Sequence, residues 1–394
     1  MAQVSEAFGP ATPVGTAAVV VLTAKMQPLF ELQDDALSGG DMDAVHDMRV
    51  ASRRTREALS IFGDLYRVDD LDRTLRTVKT VTRSLGAVRD ADVMLDHFAE
   101  LASASESADE RTALAYLMGW RQAEREHHLV RMRKRLAKLR LAERRSELAR
   151  FMHGFRRSVD IVAPVGWLAE DTLMARLDAF TSHLPVALEE SQIAEQHQMR
   201  IAGKHLRYAI ETFRPCLDTK RYDALRQTVV DFQDALGEMR DRDVFLEFVE
   251  GVVAMSGANP AGVNAEGLDL VIADLRRERG ELFTRFAALA AEYPPERLRE
   301  DLAAALLPAP PRPEPPVEPE PEVVADAAVA GPDASGAAGT PTSSGPLVAP
   351  PSSRSSRWSG IFSLARIRPQ PEPPKPETDA PPAPPAAPGD AEPE

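Results

Sequence analysis

Two short stretches of this chain carry the residue types that bind phosphate oxygens. The first contains His46, Arg49, Arg53 and Arg56. The second repeats this pattern 151 residues later with His197, Arg200, Lys204 and Arg207. Guanidinium groups bind phosphate in bidentate fashion, lysine adds a point charge, and histidine donates a hydrogen bond or becomes a cation. At 100° per residue, each set occupies an arc of about 80° on one helix face. A single stripe of this kind is usually a solvated face or an ion-pair network. Because crowded like charges destabilise a helix, their repetition favours an anion-binding site.

A second motif repeats with the same offset. Residues 85–93 (LGAVRDADV) recur as 236–244 (LGEMRDRDV). A glycine inside a helix costs about 1 kcal/mol relative to alanine, so we expect close helix approach at Gly86 and Gly237. Two roles stay open for Arg89 and Arg240, which could contact the anion or could tie helices together through the neighbouring aspartates.

Other basic residues are candidates for secondary contacts with the anion. The offset of 151 relates Arg125 to Arg276 and Lys134 to Arg285, and we predict these four as secondary sites. Arg54 lies on the apolar arc of its helix, where a buried charge needs a partner. We expect it to pair with Asp90 or Asp92, which is a structural role, and His205 replaces it in the second copy.

The elements around these motifs are predicted to be helical. The body of the chain is rich in Ala, Leu, Glu, Arg and Met and shows no alternating strand pattern. The expected fold class is all-α, with two four-helix bundles related by internal duplication about a pseudo-twofold axis. The predicted helices cover 16–37, 42–66, 70–104, 108–157, 168–190, 192–217, 220–257 and 264–306, the last broken at Pro294 and Pro295.

Composition sets the domain boundaries. Residues 308–394 hold 24 of the 33 prolines, so we predict a disordered, acidic tail, with a flexible arm at 1–15. The folded part is 16–307, in units of about 16–160 and 167–307. Net charge is −14 for the chain and −8 without the tail, so an anion site must be a local cluster of cations. One cysteine and no long apolar segment indicate a cytoplasmic protein without membrane insertion.

The tail contains one segment of different character. Residues 352–368 carry four arginines and no acidic residue, and Trp358, Ile361, Phe362 and Ala365 would share a helical face. This segment could dock on a partner protein or a granule surface, or it could be an inert part of the linker.

The paired motifs resemble those of the CHAD domain, the conserved histidine α-helical domain. The resemblance covers about 16–306, and the sequences RVASRRTR at 49–56 and KHLRYAIE at 204–211 both fit it. It implies two four-helix bundles around a basic cavity that binds inorganic polyphosphate, and association with polyphosphate granules. Residue by residue, it points to the eight residues of the two basic stripes. Many relatives carry an N-terminal CYTH domain, whose Glu-x-Glu-x-Lys signature does not occur here, so its activity is not transferred.

Two other functions are weighed against polyphosphate binding. The dipeptide His46-Asp47 could belong to a metal-dependent phosphohydrolase, but the repeat replaces Asp47 by Gln198 while it keeps the cations. Nucleic-acid binding is disfavoured because the stripes carry no aromatic residues for base stacking. We therefore expect no catalytic residues, no metal and no cofactor.

Overall fold

The computed structural model describes residues 8–38, 42–256 and 264–313, and these form a helical fold without a β-sheet. The predicted all-α class is confirmed. Residues 314–394, which include the segment 352–368, lie outside the described residues, as do 1–7, 39–41 and 257–263.

The same order of helices occurs twice along the chain. The first half contains α1 (Val14–Glu31), α2 (Gln33–Ser38), α3 (Met42–Ile61), α4 (Val68–Ala104), α5 (Ala108–Leu139) and α6 (Leu141–Met152). The second half contains α7 (Val165–Thr181), α8 (Leu184–Ala187), α9 (Ile193–Thr212), α10 (Thr219–Ser256), α11 (Ala265–Glu292) and α12 (Pro295–Ala305).

The first turns of α1 and α7 are joined by a reciprocal pair of hydrogen bonds. The backbone amide of Val14 donates to the carbonyl of Ala163, and that of Val165 donates to the carbonyl of Thr12, each at 2.8 Å. Each donor and each acceptor is related to its counterpart by the 151-residue offset. Such a reciprocal exchange is the signature of a twofold axis, so the two halves meet here about a pseudo-twofold axis.

The folded region extends further at both ends than the sequence predicts. Residues 8–13 were assigned to a flexible arm, yet Phe8 is buried and the carbonyl of Pro10 accepts a hydrogen bond from the Gly166 amide. Residues 308–313 were assigned to the tail, yet the carbonyl of Pro310 accepts a hydrogen bond from the Trp167 indole at 2.7 Å. Extended segments rich in proline and glycine carry no helical signal, but they add buried contacts at the start of α7.

The hydrophobic core is shared by the two halves. Its main cluster runs without interruption from helices of the first half to helices of the second, with Phe62 and Phe213 fully buried in it. A smaller cluster lies at the far end of the hairpins α4–α5 and α10–α11. There a Cβ on Gly267 would lie 2.2 Å from the carbonyl oxygen of Asp109, so α11 can begin against α5 only with glycine at this position.

Three predicted helices are each two helices: 16–37 is α1 and α2, 168–190 is α7 and α8, and 108–157 is α5 and α6. The helix expected at 108–157 ends at Leu139, and α6 begins at Leu141 after Arg140, which adopts the left-handed conformation with φ of 49°. The predicted break at Pro294 and Pro295 is confirmed, since α11 ends at Glu292 and α12 begins at Pro295. The α5–α6 and α11–α12 breaks occupy corresponding places in the two halves, but only the second contains prolines that predict it.

Candidate functional site

The two basic stripes lie next to each other because α3 and α9 run side by side. Equivalent residues face one another along the pair: Arg49 lies within electrostatic range of Arg200, and Arg53 of Lys204. At the end of the pair the rings of Phe62 and Phe213 lie 6.2 Å apart. This is the arrangement of two parallel helices related by a twofold axis between them. The eight predicted residues therefore form one surface, here called the basic cluster.

The centre of the basic cluster holds cations that destabilise one another. Burial lowers the pKa of Lys204 well below its usual range, and the neighbouring Arg200, Arg53 and Arg49 lower it further. The pKa values of Arg53 and Arg200 are lowered by the same two causes, burial first and nearby arginines second. These side chains are partly withdrawn from water, so their repulsion is screened less than on an open surface.

The two histidines lie at the edge of this group of cations. Burial lowers the pKa of His197 to about 4, and Arg240, Arg200 and Lys204 add to the effect. Burial and Arg89 likewise lower the pKa of His46. Both histidines are therefore neutral near pH 7, and each offers a hydrogen-bond donor or acceptor.

Carboxylates from α4 and α10 reach the basic cluster at two places. The Nη1 of Arg49 donates to Asp90 Oδ1 at 3.2 Å and to the carbonyl of Gly86 at 3.4 Å. In the second half Asp241 lies beside Arg200 and Lys204; burial raises its pKa and the two cations oppose that rise. Asp90 and Asp241 thus lie beside stripe cations and are not paired with Arg89 or Arg240.

The two motif glycines lie under stripe arginines. A Cβ on Gly86 would lie 3.5 Å from Arg49 Nη1, and one on Gly237 would lie 3.7 Å from Arg200 Nε. Both are ordinary contact distances, and the neighbouring atoms belong to side chains. The close approach of two helices that we expected at these glycines is therefore not what the structure contains.

Arg89 and Arg240 extend the basic cluster towards the histidines. Arg89 acts electrostatically on His46, and Arg240 acts on both His197 and Arg200. Arg89 also forms a long ion pair with Asp96 on its own helix, at 3.9 Å. Their place in the structure favours a contact with the anion over a tie between helices.

The other two stripe residues stand at the far end of the cluster. Burial lowers the pKa of Arg56, and nearby Arg53 and Arg83 lower it too. Arg207 lies over the Tyr208 ring at 5.0 Å and forms a long ion pair with Glu211 at 3.8 Å.

The predicted secondary residues are engaged elsewhere. Arg125 forms a buried ion pair with Asp92 at 2.5 Å, Arg276 pairs with Glu250 at 3.0 Å, and Arg285 lies 3.9 Å from Glu238. Lys134 is exposed on α5. The structure thus gives none of these four a place in the basic cluster.

The correspondence drawn for Arg125 is also wrong. Asp243 is the repeat of Asp92, and its partner is Arg279, at 3.2 Å, and not Arg276. Eight residues separate α10 from α11 whereas three separate α4 from α5, so the constant offset need not continue into α11, and the Asp243–Arg279 pair places it three residues out of that register.

Two ion clusters, which the sequence did not predict, join the halves beneath the basic cluster. Arg54 pairs with Glu211 at 3.3 Å, so its partner is a carboxylate of the other half and not Asp90 or Asp92. In the opposite direction Glu57 is bound by Arg176 at 2.9 Å and by His205 at 2.5 Å. The internal repeat could have indicated these clusters. The 151-residue offset relates Arg54 to His205, and it relates Lys25, which lies beside Arg54, to Arg176.

Two cavities flank the paired helices. One, of about 350 Å³, is lined by residues of the basic cluster (Arg53, Arg56 and Lys204), by Lys79, by the carboxylates of Glu57 and Asp64, and by apolar side chains such as Leu59, Leu71, Leu75 and Ile201. The other, of about 700 Å³, is lined by Lys25, Asp47, Arg54, Glu211 and Arg226 among others. Many of the lining positions of the two cavities correspond through the 151-residue offset, so they are pseudo-twofold mates on opposite sides of α3.

Across 8–38, 42–256 and 264–313, no three His, Cys, Asp or Glu side chains are grouped so that they could hold a metal ion. Over those residues, too, every helix is too short or too polar to cross a bilayer.

Comparison with known proteins adds a family and a fold. The model of the CHAD domain family matches residues 21–215 and 171–335. No curated protein matches the chain in sequence.

Two solved structures share the fold. The crystal structure of the CHAD domain from the plant Ricinus communis is 20% identical, with a TM-score of 0.54, and the match covers 77% of this chain and 96% of that one. PptA from Streptomyces chartreusis is 17% identical, with a TM-score of 0.52, and the match covers 71% of this chain and 99% of that one.

Proposed function

Because this chain belongs to the CHAD domain family, we propose that its basic cluster binds inorganic polyphosphate. The observation that carries the proposal is the convergence of six cationic side chains and two histidines from α3 and α9 on one partly buried surface. Two carboxylates, Asp90 and Asp241, lie near its centre and offset only part of that charge.

The electrostatics of the cluster support a polyvalent anion. A folded protein gains nothing from holding Arg53, Arg200 and Lys204 together, since burial and mutual repulsion lower the pKa of each. A ligand with closely spaced negative charges reverses the sign of these interactions. The planar guanidinium forks suit the oxygens of successive phosphates, and the neutral histidines add hydrogen bonds.

A binding role without catalysis is favoured over metal-dependent phosphate hydrolysis. Asp47 lines the larger cavity with Lys25 and Arg54, whereas His46 lies beside Arg89 in the basic cluster. The two members of the dipeptide that suggested a metal site therefore serve different surfaces. Metal ligands must converge on one point.

Nucleic-acid binding is also less favoured by the geometry. Tyr208, the aromatic residue that Arg53 and Arg207 of the cluster contact, is only 6% exposed. Arg53 and Arg207 lie over its ring at 6.0 Å and 5.0 Å. A covered ring offers no platform on which bases could stack.

In the cell, this activity would place the protein in the cytoplasm at polyphosphate granules. The segment 352–368 is our candidate for contact with a partner protein or the granule surface. If a chain that lacks 352–368 keeps its granule localisation and its co-purifying proteins, the docking role of that segment is wrong.

Titration with long-chain polyphosphate at two salt concentrations tests the proposed function. The variant is Arg53→Gln with Lys204→Gln, which removes two central cations that have no ion pair of their own among the described residues. We expect tight, salt-weakened binding by the wild type, and weaker binding by the variant together with a higher melting temperature, because repulsion is relieved. A misfolded variant could not give that combination.

The matched control is Arg277→Gln with Arg297→Gln, two exposed arginines on α11 and α12. It removes the same net charge away from the cluster and should bind as the wild type does. Retained binding by the cluster variant would move the site elsewhere. No binding by the wild type at low salt would remove polyphosphate as the ligand.

A further inference from the structure

A second basic stripe runs along α4 and continues the basic cluster. Arg76, Lys79 and Arg83 fall within an arc of about 60° on that helix. Asp90, which contacts Arg49 of the basic cluster, lies on the same arc. The three cations therefore face the side of the protein on which the cluster lies. They are here called the α4 track.

The α4 track joins the basic cluster without a gap. Lys79 lines the 350 Å³ cavity together with Arg53, Arg56 and Lys204. Arg83 lies close enough to Arg56 to lower its pKa, after the larger effect of burial. Arg76 and Arg83 are exposed and Lys79 is half-buried. None of the three side chains forms an ion pair with any residue in the described part of the chain.

The other half of the protein has no such track. The 151-residue offset places Gln227, Val230 and Asp234 of α10 where Arg76, Lys79 and Arg83 stand on α4. Three positive charges on one side correspond to a single negative charge on the other. The pseudo-twofold symmetry that builds the basic cluster is thus broken in the charge of the surface beside it.

We propose that a long polyphosphate chain leaves the basic cluster in one direction, over the α4 track. The inference rests on the proposed function and adds to it a path and three binding residues. An anionic chain that emerges beside α4 meets three unpaired cations. One that emerges beside α10 meets Asp234, and Arg226 of that helix already lies 3.7 Å from Glu211, so electrostatics disfavours that route. The track spans about 10 Å of helix, from Arg76 to Arg83, so a chain must extend beyond the cluster to use it.

Chain length separates the track from the cluster in an experiment. The variant is Arg76→Gln, Lys79→Gln and Arg83→Gln in the full chain, and the probes are tripolyphosphate and long-chain polyphosphate at low salt. Exposed charge pairs contribute modestly, so the loss of three should weaken the binding of the long chain by about tenfold. Tripolyphosphate can contact Lys79 from the shared cavity but is too short to extend along the track, so its affinity should fall by only about twofold.

Two matched variants complete the test. Lys220→Gln, Arg277→Gln and Arg297→Gln removes the same charge from other exposed positions, and we expect the affinity for the long chain to stay near that of the wild type. Gln227→Arg, Val230→Lys and Asp234→Arg builds the missing track on α10, and we expect tighter binding of the long chain, with unchanged binding of tripolyphosphate.

The outcomes distinguish this proposal from the proposed function. An equal loss in the net-charge control, or no loss in the track variant, overturns the track while polyphosphate binding stands. A wild-type protein that binds neither probe overturns both.

Discussion

Replacing Glu57 by glutamine should destabilise the fold more than any exposed substitution, because its carboxylate joins the two halves. Glu57 on α3 is 4% exposed and is bound by Arg176 Nη2 at 2.9 Å and His205 Nδ1 at 2.5 Å, both from the second half. The Arg176 side chain is itself only 9% exposed. Glu57→Gln keeps the shape of the side chain but leaves that guanidinium buried without a counter-charge.

The expected cost follows from this burial. Removing one partner of a buried ion pair typically costs about 3–5 kcal/mol. Because the amide of glutamine can still form a hydrogen bond at this site, we expect Glu57→Gln to cost near the lower value, about 3 kcal/mol. For a folded region of this size that corresponds to a fall in melting temperature of roughly 5–10 °C. Urea unfolding followed by circular dichroism, with calorimetry, measures both quantities.

A double variant separates a stranded charge from general damage. Glu57→Gln with Arg176→Met removes both members of the pair and should recover most of the lost stability, because the uncompensated cation is gone. The control is Glu143→Gln, whose exposed pair with Arg140 should contribute less than about 1 kcal/mol. The reasoning is refuted if Glu57→Gln costs no more than the control. It is also refuted if the losses measured for Glu57→Gln alone and Arg176→Met alone add up in the double variant.

Further predictions concern the neighbouring sites. Asp92→Asn should cost about 3 kcal/mol in urea unfolding, since it removes the buried partner of Arg125 and leaves only the exposed Glu126, at 3.5 Å. Gly86→Ala should stabilise the protein by about 0.5–1 kcal/mol, because the added methyl meets Arg49 at an ordinary 3.5 Å; a loss of stability would contradict this. His197, with its pKa of about 4, binds a proton in the unfolded state at a higher pH than in the folded state. The stability of the ligand-free protein should therefore fall as pH drops from about 6.5 to 4, and His197→Gln should flatten that part of the profile. Polyphosphate should raise the pKa of His197, which NMR titration measures.

The basic cluster could be predicted from the sequence because two strong regularities meet there. The helical period places four residues of each stripe on one face, and the repeat shows that the pattern is not an accident. Neither regularity depends on how the helices pack. The break at Pro294 could be predicted for the same reason, since proline acts locally.

What depends on packing could not be predicted. Arg140 ends α5 in a left-handed conformation, although nothing in its type favours that conformation. The partner of Arg54 is Glu211, 157 residues away, and only the approach of α3 to α9 brings the two together. The repeat has connections of different length before α5 and α11, and packing sets the register of α11 three residues beyond the constant offset, which therefore gave Arg125 the wrong counterpart.

The reciprocal hydrogen bonds between the first turns of α1 and α7 bear on how such a protein can change. Two identical chains could make the same exchange, but every substitution in a homodimer appears on both sides of its axis. Here both sides belong to one polypeptide, and each position can be altered alone. That independence allows α4 to carry three cations at positions whose counterparts on α10 carry a single acid. A fused pair keeps the inherited binding surface while one of its flanks specialises, which a symmetric assembly cannot do.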